Sequence, residues 1–248
     1  MVRRRRLASA DLRSAWEEQA PAFIAWAREP GHDSYWRFHR DQFLALVPPP
    51  GRRTLDLGCG EGRLARDLTA LGRAVVAVDA SATMLAAARE LGPDIETQLA
   101  NAAALPFADG AFDCVVAFMS LQDVDDLEAA LLESARVLER GGRLCVAVVH
   151  PLNSAGEFAG EEPGSAFVIG GSYLERSYYA DSVVRDGLEI VFTSEHRPLE
   201  AYAEGIAAAG LLIERLYEPA VPDEAIVHDR GRRWQRLPLF LHLRAVEP

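Results

Sequence analysis

The sequence predicts an α/β fold: a doubly wound, mostly parallel sheet of seven strands with helices on both faces, an N-terminal helical lid and an inserted cap hairpin. Three observations carry this. Apolar runs of strand length alternate with amphipathic stretches from Thr54 to Val149. The run Phe112 to Phe118 is almost wholly apolar, as a central parallel strand buried on both faces requires. Thr54 to Leu68, TLDLGCGEGRLARDL, reads as strand, glycine turn and helix start, with Gly58, Gly60 and Gly62 at every second position.

The elements follow in order. Leu12 to Ala27 has a helical pattern and carries Trp16, Phe23 and Trp26. Pro30-Gly31 turns the chain, and Tyr35 to Leu46, with Trp36 and Phe38, is a second helix. Pro48-Pro49-Pro50-Gly51 is a stiff linker that divides a lid, residues 1–50, from the main body, residues 51–248. The helix after the glycine turn runs to about Leu71, with Gly72 as its C-cap. Ala74 to Val78 is a strand ending at Asp79, and Ser81 caps a helix through Leu91. Strands follow at Ile95 to Leu99 and Phe112 to Phe118. Asp125 with Glu128 resembles a capping box for a helix to Glu139, ahead of Gly141-Gly142 and a strand from Leu144 to Val149.

Residues 151–197 interrupt the alternation. Asp186-Gly187 between Val183-Val184 and Leu188 to Phe192 signals a hairpin. A stretch of roughly fifty residues makes a poor independent core, so it is read as a cap over the sheet within a single structural domain. A helix from Leu199 to Ala209 and strands at Leu211 to Tyr217 and Leu237 to Val246 complete the sheet.

Composition narrows the function. The chain has 248 residues, 49% hydrophobic and 25% charged, which is ordinary for a folded globular protein. A net charge of −11 disfavours nucleic acid and anionic membranes as partners. Arg3 to Arg6 form a basic run without a following apolar stretch, so the N-terminus is expected to be solvated and mobile rather than a signal segment. Cys59, Cys114 and Cys145 lie far apart, which argues against a disulfide framework or zinc site and for a reducing cytoplasm. Every one of the 26 basic residues is Arg. That excludes a Schiff-base lysine and a P-loop lysine.

Ligands of open α/β sheets bind beyond the carboxyl ends of the strands. The informative positions are therefore Gly58 to Gly62, Asp79, Asn101 to Ala103, Phe118 to Gln122 and His150. A dinucleotide is one candidate, and Asp79 stands at the spacing its ribose carboxylate needs. The glycines, however, read G-x-G-x-G rather than G-x-G-x-x-G, and Asp56 places a carboxylate at the turn where a pyrophosphate would sit. A ligand with a cationic amine and a carboxylate, such as S-adenosylmethionine, suits both features. Asp56 would orient the amine, backbone N–H groups of the turn would receive the amino-acid end, and Asp79 would accept the ribose hydroxyls. The alternative for Asp79 is a helix N-cap.

Asp56 to Gly62 resembles motif I of the class I S-adenosylmethionine-dependent methyltransferases, and Val75 to Asp79 resembles their second strand. Asn101 to Asp113, NAAALPFADGAFD, is similar to their D-A-x-x-L-P-F-x-D-x-x-F-D segment. Arg136 to Leu144 is similar to the helix and turn before their fifth strand. The likeness spans about residues 50 to 150 and the closing helix and strands. It implies a Rossmann-like fold and S-adenosyl-L-methionine as cofactor. It implies cofactor contacts from Gly58, Cys59, Gly60, Asp79 and Ala80, from Asn101, Ala102 and Ala103, and from Phe118 and Met119. Met84 would pack on the adenine or ribose, and Tyr35 with Trp36 would close over the cofactor or serve as ordinary core. Asn101 departs from the usual Asp, yet an amide carbonyl still accepts the adenine amino proton.

The acceptor is less defined. Phe118-Met119-Ser120-Leu121 is not the N/D-P-P-Y of enzymes that methylate base or amide nitrogen, and no carboxylate cluster suggests a metal. A small molecule remains, with the O, N or C atom open. His150 follows the fifth strand and His196 ends the cap strand; each is a candidate general base or a structural histidine. His32, His39, His228 and His242 are read as structural or surface groups. Gln122, Tyr173, Tyr178 and Tyr179 are candidate acceptor-pocket residues. The expected assembly is a monomer or homodimer. A cofactor-binding protein without methyl transfer, a cyclase or sensor, and an NAD-dependent oxidoreductase are the competing readings.

Overall fold

The computed structural model describes residues 2–248, with side chains from Arg4 onward. Its strands are β1 (Val2–Leu7), β2 (Thr54–Leu57), β3 (Val75–Asp79), β4 (Glu96–Leu99), β5 (Phe112–Phe118) and β6 (Leu138–Val149), then β7 (Gly156–Phe158), β8 (Phe167–Ile169), β9 (Ser177–Arg185), β10 (Leu188–His196), β11 (Leu212–Tyr217) and β12 (Phe240–Val246). Its α-helices are α1 (Leu12–Arg28), α2 (Arg40–Leu44), α3 (Arg63–Ala70), α4 (Ala82–Leu91), α5 (Leu127–Val137), α6 (Pro151–Ala155) and α7 (Leu199–Ala208).

The central sheet has seven strands in the order β11-β12-β6-β5-β2-β3-β4. β2 to β6 run parallel, and β12 pairs antiparallel with both β6 and β11. Side chains alternate across it, as a strand dictates. Leu55, Leu57, Val115 and Ala117 face α5 and α7, whereas Cys114, Val116 and Phe118 face α3, α2 and Leu85 of α4. The chain leaves β2 toward β3 and β4, then returns to β5 on the other side of β2. That reversal opens a crevice at the carboxyl ends of β2 and β5.

Several boundaries depart from expectation for identifiable reasons. Asp126, not Asp125, caps α5 by accepting from Ala129 N; Asp125 instead accepts from the N–H of Leu12. α5 stops at Val137, because Leu138 already pairs with Phe112. Tyr35–His39 forms a π-helical turn ahead of α2 rather than a continuous helix.

The N-terminus is the largest correction. The run containing Arg3 to Arg6 is not a solvated tail: Val2–Leu7 is a strand in a three-stranded sheet, β1-β9-β10, paired antiparallel with β9. Arg4 fixes it with two bonds to Asp181, at 2.8 and 2.6 Å, and others to the carbonyls of Asn153, Ser154 and Gly156. The hairpin turns at Asp186-Gly187, where both residues have positive φ. Lid and cap therefore form one body, with Trp16 of α1 bonded to Thr193 O of β10 at 3.1 Å. Among the described residues, no helix is long and apolar enough to cross a membrane.

Candidate cofactor and acceptor site

A cavity of about 1230 Å³ lies between the carboxyl ends of the strands and the lid-and-cap body. The glycine turn forms its floor. Gly58, Gly60 and Gly62 all have positive φ, the left-handed region that favours glycine. A Cβ on Gly58 would stand 2.4 Å from Ser120 Cβ, so the turn is pressed against the loop after β5.

Four of the turn's N–H groups bond within the protein. Gly58 and Cys59 donate to Val78 O at 2.8 and 2.9 Å, Gly60 to Asp79 Oδ2 at 2.8 Å, and Gly62 to Cys59 O at 3.0 Å. Those four N–H groups are therefore not free to receive the anionic end expected at this turn. With those four donors spent, the turn is a poor cradle for pyrophosphate, which speaks against the dinucleotide reading.

What remains is acceptor chemistry. Asp56 is buried at 1% exposure, and its Oδ2 has no hydrogen-bond partner. Burial and the nearby Asp79 carboxylate push its pKa up to about 7, against the pull of the Ala65 N–H at the start of α3. Among the described residues no cation pairs with it. A buried carboxylate so placed matches a ligand ammonium, and S-adenosylmethionine carries one. Asp79 lines the same cavity and bridges the turn to α4, accepting from Gly60 N and from Ser81 N, each at 2.8 Å. Burial raises its pKa while those backbone donors oppose the rise. The N-cap of α4 is Ser81, which accepts from Met84 N at 3.0 Å. Asp79 thus retains lone pairs toward the cavity that a ribose diol can use.

Of the residues read from sequence as cofactor contacts, Tyr35, Asp56, Gly58, Cys59, Gly60 and Asp79 border the cavity, and so do Ala80, Met84, Asn101, Ala102, Phe118 and Met119. Ala103 does not; its N–H donates to Asn101 Oδ1 at 2.9 Å and shapes the loop instead. Tyr35 is held by its hydroxyl on Asp67 at 2.6 Å and meets Phe118 edge-on. Trp36 points elsewhere, donating to Ala27 O. Met119 has φ of 58°, strained for a non-glycine residue, where β5 breaks off at the cavity.

Neither proposed general base reaches the cavity. His150 Nδ1 accepts from Leu152 N at 3.0 Å, and its Nε2 stands 2.9 Å from Glu218 Oε1. His196 bridges Ser154 Oγ at 2.6 Å and Tyr173 O at 2.9 Å. Both histidines tie the end of β6 and the cap to their neighbours, and burial lowers the pKa of each. Tyr173 and Tyr178 also lie off the cavity, whereas Gln122 and Tyr179 line it. Of the histidines set aside as structural or surface groups, His32, His39 and His228 line the cavity; His39 is buried and 2.8 Å from His242 through their Nε2 atoms.

Sequence reasoning missed Asp123. It borders the cavity beside Gln122, accepts from Ser194 Oγ at 2.6 Å and from Gln122 Nε2 at 3.0 Å, and burial pushes its pKa up to about 7. Its position one residue past Gln122, just beyond β5, was the available signal. Its cap partner Ser194 was not predictable from local pattern.

A family model described as "Methyltransferase domain" matches residues 55–146. The demethylmenaquinone methyltransferase of Beutenbergia cavernae is 42% identical over 117 residues, 47% of this chain and 48% of that protein. The chain spans about half the length of the curated relatives it matches. Among solved structures, an S-adenosylmethionine-dependent methyltransferase from Mesorhizobium loti superposes with a TM-score of 0.71 at 25% identity, over 86% of this chain and 98% of that one. The cyclase SpnF shares the fold, with a TM-score of 0.63 at 20% identity over 98% of this chain and 99% of its own.

Proposed function

This chain carries a class I S-adenosylmethionine-dependent methyltransferase domain, with S-adenosyl-L-methionine as its cofactor, and from that premise we propose that it transfers a methyl group to an O, N or C atom of a small molecule. The observation that carries the reading is the unpartnered buried carboxylate of Asp56, set beside Asp79 at the glycine turn. Asp56 would hold the cofactor's amino group, Asp79 its ribose hydroxyls, and Asn101 with Ala102 its adenine. The bound cofactor supplies an electrophilic methyl on a sulfonium.

The protein's part is alignment and exclusion of water. The aromatic walls, Trp16, Phe118 and Phe192 among them, and the single lid-and-cap body enclose the acceptor space. An aromatic face beside a sulfonium is electrostatically favourable. On the acceptor side Asp123, rather than His150 or His196, borders the cavity and can take a proton from an acceptor near neutral pH. The curated relatives named demethylmenaquinone methyltransferases match over 47% of this chain, so they support a small-molecule acceptor without naming it. The three free, buried cysteines suit a reducing cytoplasm, where we place the activity.

Calorimetry with S-adenosylmethionine tests the donor site: Asp79→Ala is expected to weaken binding sharply. Mass spectrometry of extract incubated with labelled cofactor tests transfer, and a labelled product would distinguish it from a cyclase or sensor. Tight binding with no S-adenosylhomocysteine formed from any acceptor would overturn the transfer reading.

A further inference from the structure

The acceptor side of the cavity has an unbalanced hydrogen-bond inventory. Gln122 is buried at 4% exposure, and its Nε2 donates to Met119 O at 2.6 Å and to Asp123 Oδ2 at 3.0 Å. Two acceptors fix the orientation of the amide. Its Oε1 is left buried without a partner. Beside it the Asp123 carboxylate takes one donor on each oxygen, from Ser194 and Gln122. Among the described residues no cation stands within ion-pair distance of it. Two acceptors with spare lone pairs thus border the cavity where a ligand must supply the donors.

The surroundings define the rest of that ligand. Trp16 and Phe192, with ring centroids 6.2 Å apart, and Tyr179 line the same region. Arg4 lies over the Tyr179 ring at 4.5 Å, but its charge is taken by Asp181. Arg197 is a second nearby cation, and Arg13 of α1 also lines the cavity; Arg197 is buried, bonded to Leu121 O and Val124 O, and paired with Glu195 at 2.5 Å. Tyr202 reaches the same buried group from α7, while α5 and β6 meet the turn at Leu121 with Leu127, Leu131, Val146 and Val148. Arg4 and Arg197 are therefore matched by carboxylates, whereas Asp123 has no ion pair among the described residues.

We propose that the acceptor is a cationic amine carrying a flat apolar group, its nitrogen held by Asp123 and Gln122 Oε1 and its apolar body by Trp16, Tyr179 and Phe192; this inference rests on the methyltransferase reading above. An ammonium supplies the donor that Gln122 Oε1 lacks, and it restores charge balance to the half-buried Asp123 carboxylate. Aromatic faces favour both the cation and a flat substituent. A carboxylate or phosphate acceptor would place like charge against Asp123 and is disfavoured.

The test is calorimetric titration of the full chain with benzylamine, 2-phenylethylamine and tryptamine, each beside its matching alcohol, at pH 6 and pH 8. S-adenosylmethionine is titrated into the same preparations. At least one amine is expected to bind more tightly than its alcohol. An alkylamine stays protonated up to about pH 9, while Asp123 ionises between the two conditions. Amine affinity should therefore rise by roughly tenfold from pH 6 to pH 8, and alcohol affinity should not change. Asp123→Asn should lower amine affinity by about tenfold or more and remove the pH dependence. Its affinity for S-adenosylmethionine reports whether the variant is folded. If it is not, the pH comparison on the unaltered protein decides. Amines binding no better than alcohols at either pH, with S-adenosylmethionine binding intact, would overturn the amine proposal alone. Absence of S-adenosylmethionine binding would overturn the underlying reading as well.

Discussion

Replacing Asp56 by Asn should stabilise the protein above neutral pH while it damages cofactor binding. Asp56 is buried, its Oδ2 lacks a partner, and its pKa is lifted from 3.8 to about 7. A carboxyl with a raised folded pKa binds its proton more tightly in the folded chain than in the unfolded one. Its stability penalty is absent below the unfolded pKa, grows as pH rises, and is complete above the folded pKa. A tenfold difference in proton affinity between the two states is worth about 1.4 kcal/mol, so between pH 5 and pH 8 the penalty grows by about 2 to 3 kcal/mol. Asn cannot ionise and escapes that growth. Thermal unfolding of the two proteins should give melting temperatures that draw apart by about 4 to 10 °C over this range, with the variant gaining toward pH 8. The same variant should bind S-adenosylmethionine about ten- to a hundredfold more weakly, the worth of a charged hydrogen bond. Parallel pH–stability curves would show that Asp56 does not carry the raised pKa. Undiminished cofactor affinity would remove it from the site.

Four further outcomes follow from the geometry. Asp79→Ala frees the N–H groups of Gly60 and Ser81, so calorimetry should show weakened cofactor binding together with a lower melting temperature. Gly58→Ala places a Cβ 2.4 Å from Ser120 Cβ at a φ of +73° and should cost about 1 to 3 kcal/mol in urea titration; a neutral result would mean that the turn is not wedged against Ser120. Arg4→Ala removes the bidentate pair with Asp181 and should raise amide hydrogen exchange across β1 and β9 above that in the central sheet. His150→Ala and His196→Ala should leave cofactor affinity unchanged, whereas His196→Ala should lower stability by about 1 to 3 kcal/mol through the loss of its Ser154 and Tyr173 bonds.

The donor half of the site was legible in the sequence because its determinants are local. Asp56, the glycines and Asp79 lie within two strands and the turns that follow them, and a parallel sheet aligns strand ends automatically. Residue spacing therefore amounted to spatial position. Even there spacing has a limit. Spacing shows that N–H groups exist in the turn, but not that Val78 O and Asp79 already take them. The N-terminal strand was illegible for a related reason: four consecutive arginines read as solvated, and only the distant Asp181 and the carbonyls of α6 and β7 give Arg4 a partner.

The acceptor half depends on contacts between remote segments, and this explains why the histidines were favoured over Asp123. His150 and His196 stand at strand ends, where sequence position alone suggests a site, yet their ring nitrogens are turned to Leu152, Ser154 and Tyr173. Asp123 sits in a short 3₁₀ turn and gains its character from Ser194, seventy-one residues away, and from the cap that encloses it. Its raised pKa is a property of the assembled cavity, because an exposed aspartate in the same local sequence would titrate near its ordinary value. The proposed methyl-donor half rests on the glycine turn and two carboxylates. The choice of acceptor waits on lid, cap and sheet meeting, which makes the lid-and-cap interface the place where substitutions should change the substrate without changing the cofactor.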